Sequence, residues 1–253
     1  MSTYLDTMLI TGDDDGYVKL WDLRDKKAVH EWRDNEDYIS DLCVCPDNKF
    51  VLAPGGDGYL SVFNLRKGQL EARSDNMEHE LLSAVIIKEG KKAVVGTSDG
   101  LLDIFNFGWW GDISDKIPGH PNSVDTMVVV DNDTICTGSS DGLIRVVSIF
   151  PNKMLGIVGE HQDFPIEKIK LSRDKKYLAS CSHDQTVKFW DVGYLYEIDK
   201  SDENEPLDEN TDINNNNNND TMETESESKK SKKKKNDKNN NNNNNNNFFS
   251  GLL

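Results

Sequence analysis

Cysteine is scarce in this sequence, and its spacing excludes common cysteine chemistry. Four cysteines occur in 253 residues, and Cys43, Cys45, Cys136 and Cys181 do not have the spacing of metal ligands. Cys43 and Cys45 lie two residues apart in a predicted strand, so both point to one face. We therefore expect four core thiols in a reducing compartment rather than a metal or redox site.

The sequence also lacks a long apolar run and an excess of positive charge. No stretch approaches the ~18 apolar residues of a membrane helix, and the N-terminus has no signal-peptide core. We therefore expect a soluble protein that is not secreted and has no membrane partner. The formal net charge of −16 argues against a protein that binds nucleic acid over its whole surface, but a local basic patch stays open.

Residues 160–192 form the clearest structural unit of the chain. Residues 168–171 alternate polar and apolar side chains, which is the period of a half-buried strand. Residues 177–181 are small and apolar, and residues 186–190 are β-branched and aromatic. Polar turns separate these segments, so the unit predicts three antiparallel strands that end in the pair Trp190 and Asp191.

This unit occurs five times in the chain at a nearly constant interval. Its turn aspartates are Asp15, Asp57, Asp99, Asp141 and Asp184, at intervals of 42, 42, 42 and 43 residues. Six residues after these aspartates stand Trp21, Phe63, Phe105, Val147 and Trp190. A period of ~40–45 residues with strands alone and Trp-Asp endings is typical of WD40 β-propeller blades. The sequence therefore predicts an all-β WD40 β-propeller of about five repeats over residues 1–193.

The two ends of the repeat array predict an incomplete ring. The first repeat begins near residues 8–11, which correspond to the second strand of the unit, and the last repeat stops after its third strand. Residues 1–6 are short and polar for an outer strand. A blade has four strands and closure protects sheet edges, so we expect a seven-bladed ring that lacks about two N-terminal blades, or an open arc.

Residues 194–253 predict a disordered tail. They hold an acidic block, a lysine cluster and asparagine tracts with few apolar residues, which cannot offset chain entropy. The lysine cluster consists of Lys229, Lys230, Lys232, Lys233, Lys234 and Lys235. It is typical of a nuclear or nucleolar targeting signal, and its alternative is a solvated charge run.

Charges separate between the turns at the two ends of the predicted strands. In WD40 propellers the turns between second and third strands lie on one face, and here they are acidic. The turns on the opposite, lower face are basic, and their candidate interface residues are Arg66, Lys67, Arg173, Lys175 and Lys176. Either these turns are simply solvated, or the lower rim meets an acidic partner such as RNA phosphates.

The last repeat contains the residue types of a nucleophilic triad. These residues are His161, Ser180, Asp184 and Trp190. Nucleophilic catalysis needs a hydroxyl, a base and an orienting carboxylate, but resemblance to WD40 blades implies that the four form a buried structural network. The fourth repeat keeps His120, Thr137 and Asp141, whereas the other repeats lack a clear His or Ser. We therefore expect no enzyme activity, no cofactor and no small-molecule substrate.

Two further motifs suggest protein partners. Trp109 and Trp110 are adjacent, so they cannot both face inward on a strand; they either pack between blades or anchor a partner. Residues 21–24 read Trp-Asp-Leu-Arg, which resembles the motif by which WD40 substrate receptors bind cullin-4 ubiquitin ligases. That resemblance implies that Arg24 contacts a cullin-4 adaptor.

Four segments go beyond the general WD40 pattern, at residues 58–70, 118–123, 138–147 and 163–167. Together with the last repeat they resemble the WD repeat-containing protein 55 family, which includes a yeast ribosome-biogenesis counterpart. The resemblance implies a longer N-terminus and a non-enzymatic scaffold in the nucleolus. Its partners would be ribosome-assembly proteins and pre-rRNA, with rRNA processing as the process served. The alternative function is a substrate receptor of a cullin-4 ligase.

Overall fold

The structure, a computed structural model, describes residues 1–5, 7–25 and 27–196. Nineteen strands in these ranges form five antiparallel sheets, each built from strands consecutive in the chain. The first sheet contains β1 (Ser2–Tyr4), β2 (Met8–Gly12), β3 (Val18–Asp22) and β4 (Lys27–Trp32). The second contains β5 (Cys43–Val44), β6 (Phe50–Pro54), β7 (Leu60–Asn64) and β8 (Gln69–Arg73). The third contains β9 (Leu81–Ile87), β10 (Lys92–Thr97), β11 (Leu102–Asn106) and β12 (Asp115–Ile117). The fourth contains β13 (Val124–Val129), β14 (Thr134–Ser139), β15 (Leu143–Ser148) and β16 (Lys153–Glu160). The fifth has three strands, β17 (Ile166–Leu171), β18 (Tyr177–Ser182) and β19 (Val187–Asp191), and a 3₁₀ helix follows at Gly193–Tyr196. The predicted all-β fold of five WD40 blades is confirmed.

The repeated Asp-Gly pairs make the turns between second and third strands. Glycine at the second position has φ near +80° in four blades, which only glycine adopts without steric cost. Gln185 takes the same place in the fifth blade with φ of +64°. The preceding aspartate closes the turn, because the Oδ1 atom of Asp184 accepts the N–H of Thr186 at 2.9 Å.

The core lies between the blades, and each interface repeats one pattern. Side chains three and five residues after the turn aspartate point toward the next blade, and we call this side the forward face. Side chains six residues before and six after the aspartate point toward the preceding blade, and we call this side the rear face. Leu60 and Val62 of the second forward face pack in one cluster with Ala93 and Phe105 of the third rear face. The other three interfaces follow the same rule.

The structure adds a first strand to the first blade and a short helix after the third and last strand of the fifth blade. The first blade does not begin at its second strand, because β1 pairs with β2 from Ser2↔Ile10 to Tyr4↔Met8. Strand pairing uses backbone groups, so the polar sequence of residues 1–6 did not prevent it. The helix after residue 193 belongs to the array, because its Leu195 and Tyr196 pack against the fourth and fifth blades. Residues 197–253, with the predicted disorder and the lysine cluster, lie outside the described residues.

The four cysteines of this β fold are buried or half-buried thiols. All four cysteines are free thiols, and burial, assisted by Asp41, raises the pKa of Cys43 to about 12. Burial raises the pKa of Cys136 to about 12 as well, so neither thiol ionises near neutral pH. In the part of the chain that the structure describes, no helix has the length and apolar character needed to cross a membrane.

Candidate functional site

The last blade holds a continuous polar network beneath its surface. Trp190 Nε1 donates to Ser180 Oγ at 2.8 Å, and Ser180 Oγ lies 2.7 Å from His161 Nε2. His161 Nδ1 lies 2.7 Å from Asp184 Oδ2. With its proton on Nδ1, His161 donates to Asp184 and accepts from Ser180, so every polar group has a partner. The structure thus brings together the four residues that the sequence singled out.

The burial of Ser180 and His161 favours a structural role over a catalytic role for this network. The order of atoms is that of a Ser-His-Asp triad, but a nucleophile must reach its substrate. Ser180 is only 1% exposed and His161 is fully buried. Burial alone raises the pKa of Asp184, but hydrogen bonds from His161 and Thr186 outweigh it and lower that pKa well below its usual range. The arrangement therefore fixes a charged turn to the blade and keeps the Ser180 hydroxyl away from solvent.

The fourth blade has a shortened version of the network. His120 Nε2 lies 2.8 Å from Thr137 Oγ1, but Arg145 donates to both carboxylate oxygens of Asp141. Burial, aided by the nearby Arg145, lowers the pKa of His120 to about 4. Val147 replaces the tryptophan, so the indole donor is missing. A salt bridge has taken the place of the histidine–aspartate contact.

The third blade contains a histidine network that the sequence interpretation missed. His79 Nε2 lies 3.0 Å from Asp103 Oδ2, and Lys116 Nζ lies 3.8 Å from the other oxygen of this fully buried carboxylate. The prediction that this blade lacks a clear histidine was therefore wrong. The signal was the spacing, because His79 precedes the turn Asp99 by about the interval that separates His120 from Asp141.

The two adjacent tryptophans have opposite environments. Trp110 is 6% exposed and packs edge-to-face against Phe107 with ring centroids 4.9 Å apart. It is therefore part of the core, which is the packing alternative that the sequence left open for the pair. The turn that reverses the chain at Gly108, with φ of +87°, aims Trp110 inward and leaves Trp109 79% exposed. Trp109 alone is placed to anchor a partner.

Some cations of the lower rim are paired with a carboxylate of the same blade, and others are not. Arg24 donates to Asp22 through Nε at 2.9 Å and Nη2 at 2.7 Å, and Lys67 lies 3.6 Å from Glu71. Arg66, by contrast, is exposed and has no salt bridge among the described residues. A cation that faces its own carboxylate offers less charge to a partner.

The last blade presents the largest group of cations without such partners, which we call the last-blade patch: Arg173, Lys175 and Lys176. Within residues 1–5, 7–25 and 27–196, none of the three has a carboxylate within salt-bridge distance. Lys176 Nζ lies 5.2 Å from the ring centre of the exposed Tyr177, and Lys175 Nζ lies 5.5 Å from that of Tyr196. A cavity of about 580 Å³ opens beside Lys175, between the inner turns of neighbouring blades. The three cations therefore share this corner of the rim with the exposed ring of Tyr177 and the partly buried ring of Tyr196.

Nothing in the described residues is arranged to hold a metal ion, since no group of three or more His, Cys, Asp or Glu side chains converges there.

The blades, their Asp-Gly turns and their buried polar networks define the class: a WD-repeat protein built from β-propeller blades. The WDR55 family model matches residues 1–195, so the chain belongs to the WDR55 family.

Curated relatives support this assignment. The chain is 37% identical over 193 residues to a WD repeat-containing protein 55 homolog of Dictyostelium discoideum, covering 76% of this chain and 47% of the relative. It is 41% identical over 193 residues to the WD repeat-containing protein JIP5 of Cryptococcus neoformans, covering 75% and 52%. It is 39% identical over 190 residues to human WD repeat-containing protein 55, covering 75% and 50%. The chain spans about half the length of the curated relatives it matches.

Proposed function

We propose that this chain is a non-enzymatic WD40 scaffold in nucleolar ribosome assembly and rRNA processing, and that it contacts pre-rRNA through the last-blade patch. Membership of the WDR55 family supports the scaffold role, together with the family's implied link to ribosome biogenesis. The observation that carries the RNA contact is the group of three exposed cations without carboxylate partners among the described residues.

The physical argument rests on local charge against a negative background. The chain has a net charge of −16, so most of its surface repels phosphate. An RNA strand therefore binds only where cations have no carboxylate partner. Arg173, Lys175 and Lys176 lie in a single turn, and the Asp174 carboxylate between them is bound by Ser172 and the backbone N–H of Lys176. Tyr177 next to them exposes a ring on which an unpaired base stacks, a contact typical of single-stranded RNA recognition.

Charge reversal tests the RNA contact. The triple variant Arg173→Glu, Lys175→Glu and Lys176→Glu is compared with Lys27→Glu, Lys91→Glu and Lys153→Glu, which makes the same change in net charge elsewhere on the rim. Binding of a single-stranded pre-rRNA fragment is measured by filter retention between 50 and 200 mM salt. Each lost phosphate contact lowers the slope of log K against log salt by about 0.7, so the patch variant loses about 2 in slope. Equal binding by the two variants would contradict the contact.

The proposed targeting of the protein to the nucleolus rests on the lysine cluster that begins at Lys229, outside the described residues. Replacing its six lysines by alanine in the full chain, fused to a fluorescent protein, moves the fusion out of the nucleolus in this account. Unchanged nucleolar signal would separate targeting from this cluster and leave docking on assembly proteins as its source.

Arg24 favours a second candidate function, that of a substrate receptor for a cullin-4 ligase. Its side chain is 68% exposed at the end of the Trp-Asp-Leu-Arg motif, although Asp22 holds the guanidinium with two hydrogen bonds. An Arg24→Ala variant discriminates the two. Loss of adaptor capture with unaltered ribosomal RNA favours the receptor, whereas no capture by the wild-type chain refutes it.

A further inference from the structure

The last-blade patch differs from other basic turns of the lower rim in what its own acid does. In the second blade Lys49 Nζ lies 3.5 Å from the carboxylate of Asp47, and in the third blade Lys91 Nζ lies 3.0 Å from that of Glu89. The acid of the last-blade turn is Asp174, which accepts instead from a serine hydroxyl and a backbone N–H of its own turn, at 2.6 and 3.2 Å. Among the described residues, the cations of the patch therefore have no carboxylate partner for their side chains.

The chain passes along this patch just before the described residues end. The N–H of Val192 donates to the carbonyl oxygen of Lys176 at 2.9 Å. The 3₁₀ helix that follows ends with Tyr196, whose ring centre lies 5.5 Å from Lys175 Nζ. The helix packs against the fourth and fifth blades, so the next residues of the chain start beside the patch.

The residues that come next have the opposite charge. Residues 197–205 contain five acids and one lysine, a net charge of −4. The acids are Glu197, Asp199, Asp202, Glu203 and Glu205. A residue spans at most about 3.6 Å, so the first two acids lie no farther than about 11 Å from Tyr196. A tether this short gives an effective concentration on the order of millimolar, at which weak contacts form.

We propose that residues 197–205 bind the last-blade patch of the same chain and compete with RNA for it. One exposed ion pair is weak, but several acids that face three adjacent cations act together. Carboxylates and phosphates accept from the same lysine and arginine donors, so one cation cannot serve both. The competition rests on the RNA contact of the proposed function, whereas the contact between segment and patch does not.

This contact would make the patch selective for its RNA. An isolated phosphate meets one cation and does not displace a segment that carries five acids. A single strand brings several neighbouring phosphates together with a base for the ring of Tyr177, and it releases counterions when it binds. The segment therefore sets a threshold that a continuous RNA strand passes and a small anion does not.

Amine labelling of the full chain tests the contact in the absence of RNA. Acetylation by a limiting amount of reagent is followed by mass spectrometry at Lys175 and Lys176, and the exposed Lys153 is the internal reference. The segment variant replaces the five acids by amides: Glu197→Gln, Asp199→Asn, Asp202→Asn, Glu203→Gln and Glu205→Gln. The control variant makes the same change in net charge at exposed acids of the opposite, acidic face: Asp14→Asn, Asp15→Asn, Glu36→Gln, Asp99→Asn and Asp163→Asn.

The segment variant is expected to differ from both other proteins. At 50 mM salt its Lys175 and Lys176 are labelled about threefold faster than in the wild type, relative to Lys153, and the control variant matches the wild type. At 500 mM salt the difference disappears, because exposed ion pairs are screened. The segment variant also binds the single-stranded pre-rRNA fragment about tenfold more tightly than the wild type at 50 mM salt, and the control variant gains less than about threefold.

Four results would overturn the inference, and they separate it from the RNA contact. Equal labelling of the wild type and the segment variant shows that the segment does not cover the patch, whatever the RNA binding. An equal gain in the control variant shows a general effect of net charge. A difference that grows with protein concentration shows that the segment of another copy is responsible. Faster labelling with unchanged RNA affinity refutes the competition, and if the Arg173, Lys175 and Lys176 reversal also leaves RNA affinity unchanged, it is the proposed RNA contact that fails.

Discussion

Replacing Ser180 by alanine removes one oxygen and leaves two polar groups without a partner. Trp190 Nε1 and His161 Nε2 lie 2.8 and 2.7 Å from that oxygen, in a site where the serine and histidine are buried. A buried polar group without a partner costs about 1–3 kcal/mol. Since Trp190 is partly exposed, we expect Ser180→Ala to lower the free energy of unfolding by about 2–4 kcal/mol.

The fourth blade supplies the matched comparison for this loss. Among the described residues, the Thr137 hydroxyl has one side-chain partner, His120. Thr137→Ala therefore leaves one polar group without a partner, and we expect it to lower the free energy of unfolding by about half as much as Ser180→Ala. Urea unfolding followed by tryptophan fluorescence measures both variants. A double-mutant cycle of Ser180→Ala with Trp190→Phe should then give a coupling of about 1 kcal/mol. A loss below about 0.5 kcal/mol for Ser180→Ala would refute the idea that the network stabilises the blade.

Three other perturbations follow from single residues. Trp110→Ala should destabilise the chain by about 3–5 kcal/mol in urea unfolding because it empties a core site, whereas the exposed Trp109→Ala should stay within about 0.5 kcal/mol; equal losses would contradict the assigned environments. The folded pKa of His120, about 4, lies below the unfolded value near 6.5, so the unfolded chain takes up the proton first as pH falls. Stability should therefore drop by about 3 kcal/mol between pH 6.5 and 4 on account of this group, and His120→Gln should flatten that part of the pH profile; an unchanged profile would refute the assignment. Gln185→Gly should raise the melting temperature, since it relieves a φ of +64° at a gain of about 0.5 kcal/mol, whereas the reciprocal Gly142→Gln should lower it; the opposite signs would argue against backbone strain.

The repeated turns made the blade count predictable from the sequence. An Asp-Gly pair specifies a turn by itself, since the carboxylate accepts a nearby N–H and glycine adopts positive φ. Because Asp15, Asp57, Asp99 and Asp141 each stand before such a glycine, local chemistry alone fixed the register of four blades. The His161 network was predicted through the resemblance to WD40 blades, and it follows the rule that buried polar groups such as Ser180 and His161 are hydrogen-bonded.

Features that depend on long-range partners were not predictable from the sequence. His79 was missed because its carboxylate partner stands in the third strand, at Asp103, instead of in the turn. The environment of Trp110 depends on a chain reversal at Gly108, which breaks the alternation used for strands. Whether a rim cation is paired depends on whether a carboxylate such as that of Asp22 faces it in the fold. The number of charges along the sequence does not show this pairing.

Sedimentation of the chain with pre-ribosomal particles tests the central claim most directly. Tagged wild-type chain, the Arg173/Lys175/Lys176 charge-reversal variant and the Lys27/Lys91/Lys153 control are expressed in cells, and extracts are separated on sucrose gradients. The scaffold account predicts that wild type and control co-sediment with particles that contain pre-rRNA, and that the patch variant remains near the top. A wild-type chain that stays at the top of the gradient, or a patch variant that still co-sediments fully, would contradict it.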